Sequence, residues 1–184
     1  KAAELEAKNR ELEIESCLER VRARAMAMQN SSELAELVAT LFKELTRLDF
    51  ALTRCYIYII DPESLALRAW TFNTEIGELP ESYSIKYLDL PYYNAMINAW
   101  KERKQKFVYE LGGEEKKATD RVLFSETEYS RLPEAVKAGM KSVDRVFLSY
   151  SFNNFGGLQT GGLEPLSDEN LDIFSQFGKV FDLT

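Results

Sequence analysis

Arg54-Cys55-Tyr56-Ile57-Tyr58-Ile59-Ile60-Asp61-Pro62 is the stretch that decides the fold. From Leu52 to Ile60 the side chains alternate with a period of two. Cys55, Ile57 and Ile59 fall on one face of a strand, and Tyr56, Tyr58 and Ile60 on the other. Both faces are apolar, so both are expected to be covered. Asp61-Pro62-Glu63-Ser64 has turn chemistry, with Asp first and Pro second, and Leu65 to Phe72 reads as the returning strand of a hairpin.

On the N-terminal side, Lys1 to Gln29 lacks Gly and Pro and is dense in Ala, Glu, Leu and Arg, which predicts one long helix. Ile14, Leu18, Val21, Ala25 and Met28 follow alternating four- and three-residue steps, the seam of a coiled coil or of a helix docked on a neighbour. Leu5 and Leu12 point elsewhere. Arg20, Arg22 and Arg24 fan around the helix among glutamates, which reads as coiled-coil surface rather than as a nucleic-acid site. Asn30-Ser31-Ser32-Glu33 is a capping sequence, and Leu34, Leu37, Val38, Leu41, Leu45 and Leu48 form the apolar stripe of a second helix.

On the C-terminal side, Asn73 to Pro80 reads as loop and Tyr83 to Leu88 as a short strand. Pro91 opens a helix running to about Arg103, and Phe107 to Leu111 is a strand stopped by Gly112-Gly113. Residues 114 to 140 are partly helical and broken near Pro133. Val143 to Phe152 alternates, Asn153-Asn154 turns, and Phe155 to Gly162 forms a last strand whose glycines imply close backbone approach. Ser167 caps a final helix carrying Leu171, Phe174, Phe177, Val180 and Phe181.

Composition narrows the chemistry. The 184 residues hold 23 Lys+Arg against 30 Asp+Glu, a formal charge of −7, which disfavours a nucleic-acid partner. There is no histidine, which removes triads, Cys-His dyads, HExxH zinc sites and phosphotransfer to histidine from this chain. Two cysteines, Cys17 and Cys55, are too few for a disulfide framework and form no CxxC pair, so a reducing, cytoplasmic setting is expected. No apolar run approaches the ~20 residues that span a bilayer, so no membrane partner is expected. The sequence opens on Lys1 and ends at Thr184 within a predicted helix, so the chain is expected to be part of a longer protein with its final helix cut short.

Taken in order, these elements predict an α+β fold with a central antiparallel sheet, helices on both faces and a long N-terminal helix. Residues 1–30 form the helix and 31–184 the globular unit. Three stretches make that unit resemble a GAF domain. Arg54 to Pro62 looks like the first core strand of that family and its Asp-containing turn. Phe155-Gly156-Gly157-Leu158 is similar to the Ile-Gly-x-Leu pattern of the last strand, and Glu164 to Phe181 looks like the closing helix.

The resemblance implies a sensory or regulatory module of bacterial-type signalling proteins, two-component systems among them. Such a module holds a small ligand between sheet and helices, and often dimerises through its terminal helices. Bilin and haem variants of the family use a histidine that this chain lacks, and the methionine sulfoxide reductase variant needs more cysteines. No cofactor is assigned.

Two ligand readings stay open for the aromatic residues. Tyr56, Tyr58, Trp70, Phe72, Tyr92, Tyr93 and Trp100 either line a pocket for a small organic molecule or fill the core. Arg68, amid apolar neighbours, either anchors an anionic ligand or is a surface-directed or salt-bridged strand residue. The expected function is a non-enzymatic, cytoplasmic sensory domain. It works as a homodimer through Ile14, Leu18, Val21, Ala25 and Met28, and is linked covalently to an output domain outside the fragment. The competing reading is a ligand-free dimerisation or connector module.

Overall fold

A computed structural model describes residues 1–73 and 77–182, with backbone alone for 73 and 77–81. The helices are α1 (Ala2–Ala27), α2 (Leu34–Arg47), α3 (Pro91–Lys101), α4 (Gly113–Glu126), α5 (Glu134–Ser142) and α6 (Asp168–Asp182). The strands are β1 (Arg54–Ile60), β2 (Leu67–Asn73), β3 (Gly77–Ile85), β4 (Phe107–Gly112), β5 (Arg145–Phe152) and β6 (Gly156–Gly162). They form one sheet in the order β3-β2-β1-β6-β5-β4, antiparallel at every pairing. This is the α+β layout that the sequence predicts, with a central antiparallel sheet, helices on both faces and a long N-terminal helix.

The hairpin at the centre follows its turn chemistry. Asp61 Oδ1 accepts from the Glu63 N–H at 3.0 Å and its Oδ2 from the Ser64 hydroxyl at 2.7 Å, while Leu65 takes φ 59° to bring the chain back. Short side-chain bonds to nearby backbone are what make Asx turns stable. The strand continues one residue beyond the predicted end, to Asn73. The loop predicted over Asn73 to Pro80 is instead largely strand: β3 begins at Gly77 and ends at Ile85, before Leu88. Residues 74–76 lie outside the described residues. Pro80 misleads the sequence reading because it has no amide to donate. Here it falls in a gap of the β2–β3 register on an edge strand, where no ladder bond is lost.

Two cores lie on the two faces of the sheet. On one face, Cys55 and Ile57 of β1 meet α2 and α6, and α1 packs in turn across both of those helices. On the other, Tyr56, Tyr58 and Ile60 meet α3, and Phe124, Tyr129 and Val136 come from the region after β4. That region resolves into α4, a short 3-10 turn at Glu128–Arg131, and α5 after Pro133, as its broken helical pattern implies.

Caps hold the helix starts. The Asn170 N–H donates to Ser167 Oγ at 3.1 Å at the head of α6. Before α2, the Ser32 N–H donates to Asn30 Oδ1 at 3.1 Å and the Asn30 N–H to Glu33 Oε2 at 3.2 Å. These bonds satisfy amides that have no partner within the helix.

The seam predicted for a dimer has a different neighbour. Leu18, Val21 and Ala25 are buried within the chain's own core, and Ile14 and Met28 pack against the same cluster. The stripe is long enough for a coiled coil, but α2 and α6 already present the matching apolar surface, so the chain covers it itself. Arg20 is likewise not merely coiled-coil surface. Its guanidinium bonds Glu44 of α2 at 2.9 Å, and Glu44 is only 3% exposed. Arg24 bonds Glu36 of α2. What α1 leaves open is its other side, with Leu5 at 62%, Leu12 at 59% and Met26 at 72% exposure. Among the described residues no helix is long and apolar enough to cross a membrane.

Candidate functional site

A cavity of about 60 Å³ lies between the sheet and the α3–α4–α5 layer. Strand β1 supplies its floor. The period of two sends Arg54, Tyr56 and Tyr58 to the same side, and α3 brings Tyr92, Tyr93 and Met96 over them. Tyr129 enters from the 3-10 turn, Lys116 and Asp120 from α4, and Gln159 from β6. Aliphatic side chains of Leu67, Ile85 and Leu148 complete much of the wall.

The polar groups are buried and mostly satisfied. Tyr58 donates to Gln159 Oε1, and the Tyr92 and Tyr150 hydroxyls share a hydrogen bond. The Tyr93 hydroxyl donates to the Leu65 carbonyl at 2.7 Å, which ties α3 to the hairpin turn. The Tyr56 and Tyr58 rings stack with centroids 5.5 Å apart. Lys116, 3% exposed, bonds Asp120 at 2.5 Å and the Met140 carbonyl at 2.8 Å.

Two groups are left over. Arg54 Nε and Tyr129 Oη are buried and have no hydrogen-bond partner among the described residues. Arg54 is 8% exposed, and no carboxylate lies within ion-pair distance of it among the described residues. Burial works to pull its pKa down, but interactions with the surrounding tyrosines, a hydrogen bond with Tyr56 among them, outweigh that, and the guanidinium stays charged. Burial also pushes the phenols of Tyr58, Tyr129 and Tyr150 well up, and that of Tyr92 to about 12. All four are neutral hydrogen-bonding groups at pH 7.

Four of the seven predicted pocket residues meet here: Tyr56, Tyr58, Tyr92 and Tyr93. Trp70 and Phe72 do not. Across the hairpin Tyr56 pairs with Thr71 and Tyr58 with Ala69, so Trp70, opposite Ile57, shares the face of Ile57 and packs in the α2 core. Phe72 packs at a tilt against Phe42 of α2, with ring centroids 4.7 Å apart. Cross-strand partners point the same way, and the register was one residue away from what the aromatic pattern suggested. Trp100 is on the correct face but away from the cavity, with its indole N–H donating to the Asn153 carbonyl at 3.1 Å.

Arg68 is surface-directed, as one of its expected placements has it, and donates to Ser82 Oγ at 3.3 Å. Arg54, Lys116, Tyr129 and Gln159 also line the cavity, and no motif or spacing in the sequence marks Lys116, Tyr129 or Gln159 as site residues. For Arg54 the signal was present: it stands two and four residues before Tyr56 and Tyr58, and so on their face.

Neither a family model nor a curated protein matches the sequence. Among solved structures the chain is similar to the crystal structure of the phycoerythrobilin-bound GAF domain from a cyanobacterial phytochrome, at 16% identity, covering 92% of this chain and 94% of that one, with a TM-score of 0.46.

Proposed function

We propose that this chain is a non-enzymatic, GAF-like sensory domain of a larger signalling protein, and that it takes up a small molecule in the cavity beside β1. The observation that supports this most directly is the cavity itself, with four tyrosines from two elements converging on buried polar groups that have no hydrogen-bond partner among the described residues. Convergent polar groups in an apolar cleft are the usual mark of a ligand site. The phenols are held protonated by burial, which suits binding better than proton transfer near neutral pH. Cys17 and Cys55, both buried and free, suit a reducing, cytoplasmic setting.

Strand β1 is the element that connects the site to an output. Arg54, Tyr56 and Tyr58 face the cavity, while Cys55 and Ile57 between them face the core shared by α1, α2 and α6. A ligand that shifts one face of this strand changes the packing of the other, because close-packed cores rearrange in discrete steps. Helix α1 then carries that change toward the rest of the protein. A homodimer through α1 would use the Leu5 and Leu12 side, since the opposite side is occupied within the chain.

A small-molecule screen by thermal shift, run on the chain and on Leu123→Phe, tests the reading. Leu123 lines the cavity and is partly buried, so a ring there fills the space at modest cost. Compounds that stabilise the parent but not the variant support a ligand site. If no compound separates the two proteins, the ligand-free connector reading takes its place.

A further inference from the structure

We propose that the ligand of this cavity is a small monocarboxylate with an apolar body, its carboxylate held by the Arg54 guanidinium and the Tyr129 hydroxyl. The inference rests on the ligand-binding reading above and names the chemistry of that ligand.

Charge is the first argument. Among the described residues three charged side chains line the cavity, and Lys116 and Asp120 cancel each other at 2.5 Å. Arg54 is cancelled by nothing: it is 8% exposed, with Nε unpartnered and no carboxylate in ion-pair range among the described residues. A buried cation without a counterion is costly and is normally paired. Among the described residues the cavity therefore lacks one negative charge, which fits a monoanion and not a phosphate dianion.

Geometry is the second. A guanidinium presents planar, paired N–H donors that match the two oxygens of a carboxylate. The Tyr129 hydroxyl, buried and without a partner in hydrogen-bonding geometry among the described residues, lines the same cavity as Arg54. The backbone also keeps the space clear. Gly161 stands directly across from Arg54 in the β1–β6 ladder, and a Cβ there would come within 3.0 Å of Arg54 Nε.

Size and lining fix the rest of the ligand. The cavity of about 60 Å³ has room for roughly four waters at the ~15 Å³ that each needs. That is the scale of a short-chain acid. Leu67, paired with Ile60 at the far end of β1 from Arg54, and Ile85 beside it form the wall away from the guanidinium, which favours an alkyl body over a second polar group.

Melting temperatures of the full chain test this, with sodium formate, acetate, propionate and butyrate compared with acetamide, acetone, phosphate and sulfate at matched ionic strength. A saturating acid is expected to raise Tm by about 5 °C, with the neutral amide and ketone inert. Arg54→Met is expected to melt no lower than the parent without ligand, because it removes an unpaired buried charge, and to lose the response to acids. If Arg54→Met does not fold, the acid-against-amide comparison on the parent and on Arg54→Lys decides. Acetamide or acetone matching the acids would overturn the carboxylate proposal while leaving a small-molecule site standing. A response to phosphate or sulfate alone would overturn it in favour of an inorganic anion. No response to any probe, together with an empty small-molecule screen, would overturn both readings.

Discussion

Arg54 and Gly161 stand opposite one another across the β1–β6 ladder, with the guanidinium lying where a side chain at 161 would have to go. The contact is tight. A Cβ at 161 would sit 3.0 Å from Arg54 Nε and 3.2 Å from its Cγ. Gly161→Val therefore forces the arginine out of place. The expected cost is about 1–3 kcal/mol, the usual range for overpacking a core. Urea unfolding measures it, and the acid-induced rise in Tm should shrink in the same variant.

Helix α1 is fixed by a buried carboxylate. Burial works to raise the Glu44 pKa, but hydrogen bonds from Arg20 and from the Cys17 thiol outweigh it and hold the group below its ordinary 4.5. With the folded value depressed, Glu44 adds stability above the unfolded pKa, and that stability is lost as pH falls through the folded value. Arg20→Met removes the main partner and leaves Glu44 buried. About 1–3 kcal/mol should be lost at pH 7, and the acid-unfolding midpoint followed by circular dichroism should move to higher pH.

The two halves of α1 should behave differently. Residues 1–9 are exposed all round, whereas Cys17, Val21 and Ala25 are at most 4% exposed. Deleting residues 1–9 should change Tm by less than about 2 °C, a loss of under ~0.5 kcal/mol. Val21→Asp should cost more than about 3 kcal/mol by burying an unpaired charge. If α1 joins two copies, Leu5→Glu with Leu12→Glu should turn dimer into monomer in sedimentation without a change in Tm at low concentration.

Gly178 lets α6 meet the sheet. A Cβ at that position would lie 2.1 Å from Ser151 Oγ and 2.7 Å from Ser151 Cβ. Gly178→Ala should lose about 2 kcal/mol. Ser151→Ala would not rescue it, because the Cβ clash remains, whereas Ser151→Gly should recover part of the loss. A double-mutant cycle by denaturant unfolding reads the coupling.

How much of this was legible depends on what each residue's neighbours had to be. Tyr56 and Tyr58 could be placed on one face from their own spacing, and the Ser167 cap and the Asp61 turn from short-range chemistry. These features are local. Trp70 was misplaced because the face of a returning strand depends on hairpin register, which one slipped residue reverses. Gly77 to Pro80 read as loop because the sequence did not reveal that β3 is an edge strand, where a proline costs no ladder bond. The seam on α1 was correctly seen as apolar, but whether another chain or the same chain covers it is a matter of tertiary packing. Arg54 was overlooked because a strand-leading arginine usually reaches solvent; its burial follows from Gly161 opposite and from the tyrosines around it.

The central claim, that occupancy of the cavity is felt across β1 by α1, can be followed at the methionine methyl groups. The chain has four methionines. Met96 and Met140 line the cavity, Met28 packs in the α1–α2–α6 core, and Met26 is 72% exposed. In a 13C-methyl NMR titration with butyrate, Met96 and Met140 should shift saturably and Met28 should follow with the same midpoint, while Met26 serves as the reference. Saturation at Met96 and Met140 with a stationary Met28 would contradict the relay. Four unmoved signals would contradict uptake of butyrate by the cavity.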